Sequence, residues 1–227
     1  MKYKAIIFDL FGTLIENILS YQYRQILVEI TDILSIEQDR FIDAWLDYSD
    51  YCMTGHISNV NCLNVVCRDL NIGLSEDLLK TCMKVFTDHV RSRLESPAAS
   101  LNTLSNLRKR GYAIGLISNC SDEVSFLWDH SPLASVIQYP VFSCSIGLKK
   151  PDINIYLLAA DKMRISPGEC LFVDDSVEYL RGARQAGMTG VLIQDRTLNS
   201  SFSNPEDWDG YAINSIREVE TLLHNIK

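Results

Sequence analysis

The amino-acid sequence predicts an α/β fold, in which a doubly wound parallel sheet forms the core and an all-helical cap domain is inserted after the first strand. Short apolar runs without polar alternation indicate strands that are buried on both faces of a parallel sheet. Helical segments alternate with these runs along most of the chain. A strand-free stretch between residues 16 and 93 predicts the cap. We therefore assign residues 1–15 and 94–227 to the core and residues 16–93 to the cap.

Six apolar runs predict the strands of the core. Four are continuous, at residues 5–8, 113–117, 171–173 and 190–193, and two are weaker, at residues 141–144 and 211–213. Helical segments separate them at residues 96–110, 122–129, 151–163 and 177–186. Because strands that are joined through helices pair in parallel, the core is predicted to be Rossmann-like.

The inserted stretch has the pattern of four consecutive amphipathic helices, at residues 20–34, 36–53, 59–70 and 75–93. Ser35 and Ser75 are predicted to cap the second and fourth of them. A cap of this kind would cover a ligand site and select its substrate. The candidate lining residues are Tyr21, Tyr23, Arg24, Trp45, Tyr48 and Tyr51, although packing within the helices or solvent exposure explains each of them equally well.

Composition excludes several classes of protein. The chain has 227 residues, 47% of them hydrophobic and 22% charged, which is typical of a globular protein with a sizeable core. The net charge of −8 and the lack of a basic block argue against a nucleic-acid partner. No apolar run is long enough to span a bilayer, and the N-terminus lacks the pattern of a signal peptide. Seven cysteines without a Cys-x-x-Cys pair indicate free thiols in a reducing compartment, so we expect a cytoplasmic protein. Its oligomeric state, a monomer or a homodimer, is left open.

Polar side chains follow the predicted strands at the points where ligands bind in an open α/β sheet. They are Asp9, Ser118, Asn119, Asp174 and Asp175, and a sixth, Lys150, precedes the start of a predicted helix at Pro151. Taken singly, an aspartate after a strand is usually a turn former or helix cap, and a lysine is usually solvated. Their order at successive strand ends predicts a site instead.

Four stretches of this chain resemble motifs of the haloacid dehalogenase superfamily, which consists of phosphohydrolases and relatives. They are "FDLFGTL" at residues 8–14, "LISN" at 116–119, "GLKKPD" at 147–152 and "LFVDDSVEYLRGARQAGM" at 171–188. The helical insertion also lies where this family carries its α-helical cap. The resemblance therefore covers the whole chain and implies a hydrolase.

The resemblance implies a role for each matching residue. Asp9 is the expected nucleophile, which forms an aspartyl-phosphate. Ser118 and Asn119 would bind the phosphoryl oxygens, and Lys150, with Lys149 as the alternative, would neutralise the phosphate and Asp9. The implied cofactor is Mg²⁺, held by Asp9, the backbone carbonyl of Phe11 and Asp175, with Asp174 left open as a further ligand. Such a cation would relieve the repulsion between closely spaced carboxylates.

Phe11 departs from the pattern of most phosphatases of this family, which carry a second aspartate two residues after the nucleophile. That aspartate protonates the leaving oxygen, and a phenyl ring cannot. The candidates for a substitute acid are Glu16, Asp122, Glu178 and His56. Without one, the chemistry favours acyl or enol phosphates over alkyl phosphates, because a positioned acid is worth about 10²–10⁴ in rate.

The sequence thus predicts a magnesium-dependent phosphatase that acts on a small phosphorylated metabolite. One alternative is a 2-haloacid dehalogenase, which Phe11 favours and which Asp174, Asp175 and the lack of an arginine in residues 43–51 oppose. The other is a catalytically impaired member with a binding role, which the retained Asp9 and Lys150 oppose.

Overall fold

The core of the protein is a six-stranded, wholly parallel sheet with the strand order β3-β2-β1-β4-β5-β6. The computed structural model describes residues 2–95, 98–200 and 204–226. The strands are β1 (Ala5–Phe8), β2 (Ala113–Ser118), β3 (Tyr139–Phe142), β4 (Cys170–Asp174), β5 (Thr189–Ile193) and β6 (Tyr211–Ile213). The order reverses at β1, which pairs with β2 on one side and with β4 on the other. The predicted α/β Rossmann-like class is confirmed.

Helices cover both faces of the sheet. Those that follow the inserted stretch are α6 (Ala98–Lys109), α7 (Asp122–Leu127), α8 (Ser143–Ile146), α9 (Ile153–Met163), α10 (Val177–Gln185) and α11 (Glu218–Asn225). Ile6 and Phe8 of β1 belong to one hydrophobic cluster, and Ala5 and Ile7 belong to the cluster on the opposite face. Because both faces of β1 are buried, its sequence is continuously apolar rather than alternating.

Several boundaries differ from those predicted. β3 begins at Tyr139 rather than at residue 141, and a short helix, α8, replaces its expected end. The helix predicted from residue 151 begins at Ile153, because the Asp152 side chain accepts a hydrogen bond from Asn154 N at 2.9 Å and caps it. Residues 96 and 97, where another helix was predicted to begin, lie outside the described residues. All seven cysteines are free thiols, as predicted.

Between β1 and α6 the described residues form five helices and no strand beyond an isolated bridge between Phe11 and Ile15. The helices are α1 (Ser20–Leu34), α2 (Gln38–Asp47), α3 (Ser49–Met53), α4 (Asn59–Asp69) and α5 (Glu76–Leu94). They share a hydrophobic cluster of their own, in which the rings of Trp45 and Phe86 stack at 4.9 Å between centroids. The assignment of residues 16–93 to a separate cap domain stays a prediction.

The predicted helix over residues 36–53 is wrong, because the chain divides into α2 and α3 at Tyr48. The predicted cap Ser35 instead ends α1 in a left-handed conformation, and Glu37 caps α2 by accepting hydrogen bonds from Asp39 N and Arg40 N. Ser75 caps α5 as predicted, accepting from Leu78 N at 3.2 Å. Among the described residues, no helix combines the length and apolar character needed to cross a bilayer.

Candidate active site

The predicted site residues meet at the carboxyl ends of three adjacent strands. Asp9 directly follows β1, and its backbone N–H donates to Val173 O of β4 at 2.9 Å. Ser118 is the last residue of β2, and Asp174 is the last residue of β4. Since β1 lies between β2 and β4, these ends are neighbours at one edge of the sheet. This is the edge at which open α/β sheets bind ligands.

Lys150 lies at the centre of this edge. Its Nζ donates to Asp9 Oδ1 at 2.5 Å and to Asp174 Oδ2 at 2.6 Å, and its side chain is only 1% exposed. The alternative residue, Lys149, instead forms an ion pair with Asp50 of α3 at 2.6 Å. The structure therefore brings Lys150, and not Lys149, to the predicted nucleophile.

Asn119 positions Lys150. Its Nδ2 donates to the Lys150 carbonyl oxygen at 2.9 Å, and its Oδ1 accepts from the Lys150 backbone N–H at 2.8 Å. Both ends of the Asn119 amide therefore contact the backbone of Lys150, and its side chain also hydrogen-bonds Tyr179, whereas the resemblance implied a role in binding phosphoryl oxygens. Ser118 Oγ is fully buried and, apart from the weak thiol donor Cys120, has no partner among the described residues.

The charges at this edge are unbalanced. Burial alone would lower the pKa of Lys150, but the negative charges of Asp174 and Asp9 outweigh burial and raise this pKa, so the side chain stays charged. Burial raises the pKa of Asp174 well above its usual range, despite Lys150, and the charges of Asp9 and Asp175 add to this effect. The ammonium of Lys150 thus contacts Asp9 and Asp174, while the charges of the neighbouring carboxylates disfavour the ionised form of Asp174.

The same three carboxylates fit a divalent cation. Asp9, Asp174 and Asp175 each offer an oxygen, and these oxygens lie within 4.8 Å of one another. Oxygens of this type are the ligands that Mg²⁺ prefers. Both oxygens of Asp174 already accept hydrogen bonds, from Lys150 Nζ and from Ser176 N.

Gly12 makes room for the Asp175 carboxylate. Its φ of +79° is a left-handed conformation, and a Cβ at this position would overlap Asp175 Oδ2. Phe11, the neighbouring residue, packs its side chain against the buried cluster on one face of the sheet and lines the cavity described next. The loop after β1 therefore places Gly12, which has no side chain, directly against the Asp175 carboxylate.

A cavity of about 560 Å³ lies between this sheet edge and the helices α1–α5. The sheet edge contributes Asp9, Phe11, Asn119, Lys150 and Asp175 to its wall. The helical side of the wall is mainly apolar and aromatic, with Ile18, Tyr23, Ile26, Trp45, Met53, Phe86 and Val90. The cavity can therefore hold a small molecule whose reacting group contacts Asp9 and whose remainder contacts the helices.

Only two of the six residues predicted to line the cavity do so, namely Tyr23 and Trp45. The other four, Tyr21, Arg24, Tyr48 and Tyr51, are absent from its wall. Tyr21 and Tyr51 are 60% and 55% exposed, and Arg24 pairs with Asp39 at 2.5 Å. Helical periodicity predicted amphipathic helices but did not specify which of their aromatic residues line the cavity.

The four candidates for a substitute acid do not line the cavity either. Glu16 accepts a hydrogen bond from Asn199 Nδ2 at 2.8 Å, and Asp122 accepts one from Asn59 N at 3.1 Å. Glu123, which the sequence reasoning passed over, does line the cavity. Its burial raises its pKa. Its place in the first turn of a helix, directly after the strand-end residues, was the signal that could have identified it.

Comparison with known proteins supports a single family. Residues 3–187 match the family model described as a haloacid dehalogenase-like hydrolase. The chain is 35% identical to "Phosphatase MT3486" of Mycobacterium tuberculosis over 40% of its length and 42% of that protein. It is 29% identical to "(S)-2-haloacid dehalogenase 4A" of Burkholderia cepacia, over 53% of this chain and 52% of that protein. The matches thus span about half or less of these relatives.

The fold is similar to that of a solved structure as well. The HAD family enzyme bt-2542 of Bacteroides thetaiotaomicron, in its complex with magnesium and inorganic phosphate, is 18% identical with a TM-score of 0.67. The match covers 88% of this chain and 98% of that one. Since the family model covers most of the chain and its motif residues meet at one sheet edge, the protein belongs to the haloacid dehalogenase-like hydrolases.

Proposed function

We propose that the protein is a magnesium-dependent phosphatase, which hydrolyses a small phosphorylated compound through an aspartyl-phosphate at Asp9. The observation that carries this proposal is the group of three buried carboxylates around Lys150, with oxygens within 4.8 Å of one another. An acidic group of this kind suits a divalent cation and a phosphate, and is poorly suited to a reaction without a metal.

Asp9 is the proposed nucleophile. One of its carboxylate oxygens would attack phosphorus, the bond from phosphorus to the leaving oxygen would break, and water would then hydrolyse the aspartyl-phosphate. Lys150, held 2.5 Å from Asp9 Oδ1, would offset the charge that develops on the phosphoryl oxygens. Ser118 Oγ, buried at the end of β2, is a further proposed donor to these oxygens.

The proposed Mg²⁺ ligands are Asp9, Asp175 and the backbone carbonyl of Phe11. When bound there, the ion would supply positive charge to the phosphate and would screen the carboxylates from one another. The similarity in fold to an enzyme crystallised with magnesium and inorganic phosphate supports this cofactor. Asp174, which is bonded to Lys150 and Ser176, would act by positioning Lys150.

The proposed substrates have leaving groups that depart without full protonation. Phe11 stands where an acid would be expected, and its ring cannot donate a proton. Acyl, enol and aryl phosphates tolerate this absence better than alkyl phosphates, because their leaving oxygens are weaker bases. A positioned acid is worth about 10²–10⁴ in rate, and the discrimination between these classes should approach that range.

A second candidate function is the hydrolysis of a 2-haloacid. Phe11 favours it, because a halide leaves without a proton, and one of the relatives is a 2-haloacid dehalogenase. Two observations favour the phosphatase. Asp174 and Asp175 form the acidic group with Asp9, and no arginine that could hold a halide lines the cavity among the described residues. The third alternative, a member without catalysis, is disfavoured by the intact contact between Asp9 and Lys150.

The deciding experiment measures phosphate release from acetyl phosphate, phosphoenolpyruvate, 4-nitrophenyl phosphate and glycerol phosphate, with Mg²⁺ and with a chelator. We expect magnesium-dependent turnover of the first three and little of the fourth. Asp9→Asn should abolish turnover and leave the thermal unfolding transition cooperative. Chloride release from 2-chloropropionate would support the dehalogenase instead. Phosphate release that is absent, or that persists in the chelator, would contradict the proposal.

A further inference from the structure

A buried carboxylate forms part of the cavity wall at the start of α7, where the core contacts α4. Glu123 lies in the first turn of α7 and is 6% exposed. Its Oε1 accepts a hydrogen bond from Asn59 Nδ2 of α4 at 2.6 Å, and its Oε2 accepts one from Ser121 Oγ at 2.8 Å. All three residues line the cavity. Donors from the helical stretch and from the core thus hold the carboxylate in one orientation.

No cation neutralises this carboxylate. Both of its side-chain hydrogen-bond donors, an amide and a hydroxyl, are neutral. Among the ion pairs of the described residues, none includes Glu123. The two lysines of the "GLKKPD" motif both have other partners, since Lys149 pairs with Asp50 and Lys150 pairs with Asp9 and Asp174. A buried charge without a partner of opposite charge destabilises a protein by several kcal/mol or is neutralised by a pKa shift.

Burial and the nearby charge of Asp122 do raise the pKa of Glu123 above its ordinary value, whereas its hydrogen bonds oppose this shift. The carboxylate also keeps spare acceptor capacity. A carboxylate offers about four lone-pair sites, of which two on Glu123 receive side-chain donors and a third receives its own backbone N–H. A ligand in the cavity can therefore still donate to it.

The surroundings of Glu123 define what such a ligand would contact. Among the described residues that line the cavity, the only carboxylates are Glu123 and the two strand-end aspartates, Asp9 and Asp175. The helical side is apolar and aromatic, and the one polar contact between its large rings, from Trp45 Nε1 to Tyr23 Oη at 2.9 Å, is already satisfied. His89, the one histidine on this side of the wall among the described residues, has its Nε2 3.8 Å from Glu29 Oε2. Glu123 is thus the carboxylate of the cavity wall, outside the group at the strand ends, that would select charge on a bound substrate.

We infer that Glu123 determines substrate specificity by binding an ammonium group on the leaving-group portion of the substrate. The substrate class is then an amine-bearing phosphate ester with an otherwise apolar skeleton. The ammonium would supply the missing charge partner, and the aromatic rings of the wall would accommodate both the skeleton and the cation. This inference rests on the proposed phosphatase function.

The test compares three aryl phosphates that differ only in the para substituent, namely 4-methylphenyl, 4-(hydroxymethyl)phenyl and 4-(aminomethyl)phenyl phosphate. The wild-type protein should hydrolyse the amine with at least a tenfold higher kcat/KM than the methyl compound, mainly through a lower KM. Glu123→Gln, which keeps the shape and removes the charge, should bring the two compounds to within about twofold once their intrinsic reactivity is taken into account. Asp122→Asn removes a charge one residue away, outside the cavity wall, and should keep the preference.

Three different outcomes would overturn the proposed role of Glu123. Equal kcat/KM for the three compounds in the wild-type protein overturns the inference, whether or not Glu123→Gln folds. A preference for the amine that survives in Glu123→Gln also overturns it. So does a hydroxymethyl compound with the same kcat/KM as the amine, because Glu123 would then bind a neutral hydrogen-bond donor as well as a cation. Phosphatase function stands in all three cases.

Absence of phosphate release from all three compounds would count against the proposed function itself. The inference is then decided by calorimetric binding of the same compounds to the Asp9→Asn protein with Mg²⁺. Tighter binding of the amine, lost when Glu123→Gln is added, supports the role of Glu123, and equal binding of the three compounds overturns it.

Discussion

Asp9, Asp174 and Asp175 place three buried carboxylates at the end of two adjacent strands, and the ammonium of Lys150 contacts two of them. Each of these residues is unfavourable when buried alone. The charges of Asp174 and Asp9 raise the pKa of Lys150 above its ordinary value and hold its side chain in the charged form. At the scale of single residues, the site is therefore a group in which Lys150 stabilises Asp9 and Asp174 while the carboxylates repel one another.

Replacing Phe11 tests whether the lack of an acid at this position limits the hydrolysis of alkyl phosphates. We expect Phe11→Asp to raise kcat/KM for alkyl phosphates at least tenfold, because an acid at this position could protonate the leaving oxygen, and such groups contribute about 10²–10⁴ in rate. Phe11→Asn has nearly the same size without an exchangeable acid and is the matched control. Steady-state phosphate release measures both. Equal effects of the two variants would show that lost packing of the ring, rather than proton transfer, explains any change.

Replacing Gly12 tests whether this residue makes room for the Asp175 carboxylate. Gly12→Ala should lower stability by roughly 1–2 kcal/mol, because its φ of +79° disfavours a side chain, and it should also reduce magnesium-dependent activity, because the new Cβ displaces Asp175. Gly73→Ala is the control, since nothing lies within 4 Å of a Cβ there. Urea unfolding and phosphate release are the measurements. Full activity of Gly12→Ala would contradict the close approach of Gly12 to Asp175.

Glu123 predicts a dependence of stability on pH. Burial raises its pKa in the folded protein above 4.5, so the folded state binds this proton more tightly than the unfolded state does. Stability of the wild-type protein relative to Glu123→Gln should therefore fall as the pH rises from about 4.5 through the raised pKa, with a limiting slope of about 1.4 kcal/mol per pH unit. Urea unfolding of both proteins at a series of pH values tests this. A difference in stability that stays constant with pH, or that grows, would contradict the shift.

At the scale of elements, three sets of contacts join the helical stretch to the core beside the cavity. Asn59, at the start of α4, donates to Asp122 Oδ1 from its backbone and to Glu123 Oε1 from its side chain. Lys149, before α9, pairs with Asp50 of α3. Gly55, in the turn after α3, has a φ of +68°, and a Cβ there would overlap the backbone carbonyl of Cys144 in α8. Close backbone approach and polar pairs thus join these elements beside the cavity.

Gly55→Ala tests this junction against Gly111→Ala. Both positions have positive φ, +68° and +89°, so both variants incur a similar backbone strain of roughly 1–2 kcal/mol. A Cβ at Gly111 meets nothing within 4 Å, whereas one at Gly55 forces α3 away from α8. We therefore expect the KM for an aryl phosphate to rise several-fold in Gly55→Ala only. Indistinguishable KM values for the two variants would contradict a junction that shapes the cavity.

At the scale of the whole molecule, the site exists because residues far apart in the chain are held at one edge of the sheet. Asp9 and Lys150 are separated by 141 positions, and Lys150 and Asp174 by 24. The sheet brings them together because β1 lies between β2 and β4 at the reversal of strand order. The helices α1–α5 then enclose the cavity against this edge and supply its apolar wall.

Magnesium should therefore stabilise the whole fold. An ion that binds only the folded protein adds about 2.7 kcal/mol at a concentration of one hundred times its Kd, which corresponds to several degrees in Tm for a chain of this size. Asp175→Asn should reduce this increase, and Asp209→Asn, an exposed aspartate paired with Arg184 at 2.7 Å, should keep it. Thermal unfolding with Mg²⁺ and with a chelator is the measurement. An equal increase in Asp175→Asn and wild type would remove Asp175 from the proposed ligands.

Sequence reasoning succeeded where a local pattern reports burial or a strand end directly. The run at residues 5–8 predicted β1 without error, because a strand buried on both faces is apolar at every position. It failed where two signals compete. Ser35 had the side chain of a helix cap, yet the backbone there is left-handed and Glu37 caps α2 instead. Tyr139 and Pro140 lacked the apolar run of a central strand, yet pairing with Gly115 and Leu116 of β2 draws them into β3.

By itself, the sequence determined the fold class, the family resemblance and the set of charged residues at the strand ends, because periodicity, motif order and residue chemistry are local properties. Only the tertiary structure decided which lysine contacts Asp9, that the Asn119 amide binds the backbone of Lys150, and that Glu123 rather than Asp122 lines the cavity. These choices depend on the direction of each side chain and on segments distant in the chain. A difference of one residue along a helix turns a side chain by about 100°, which separates a wall of the cavity from its exterior.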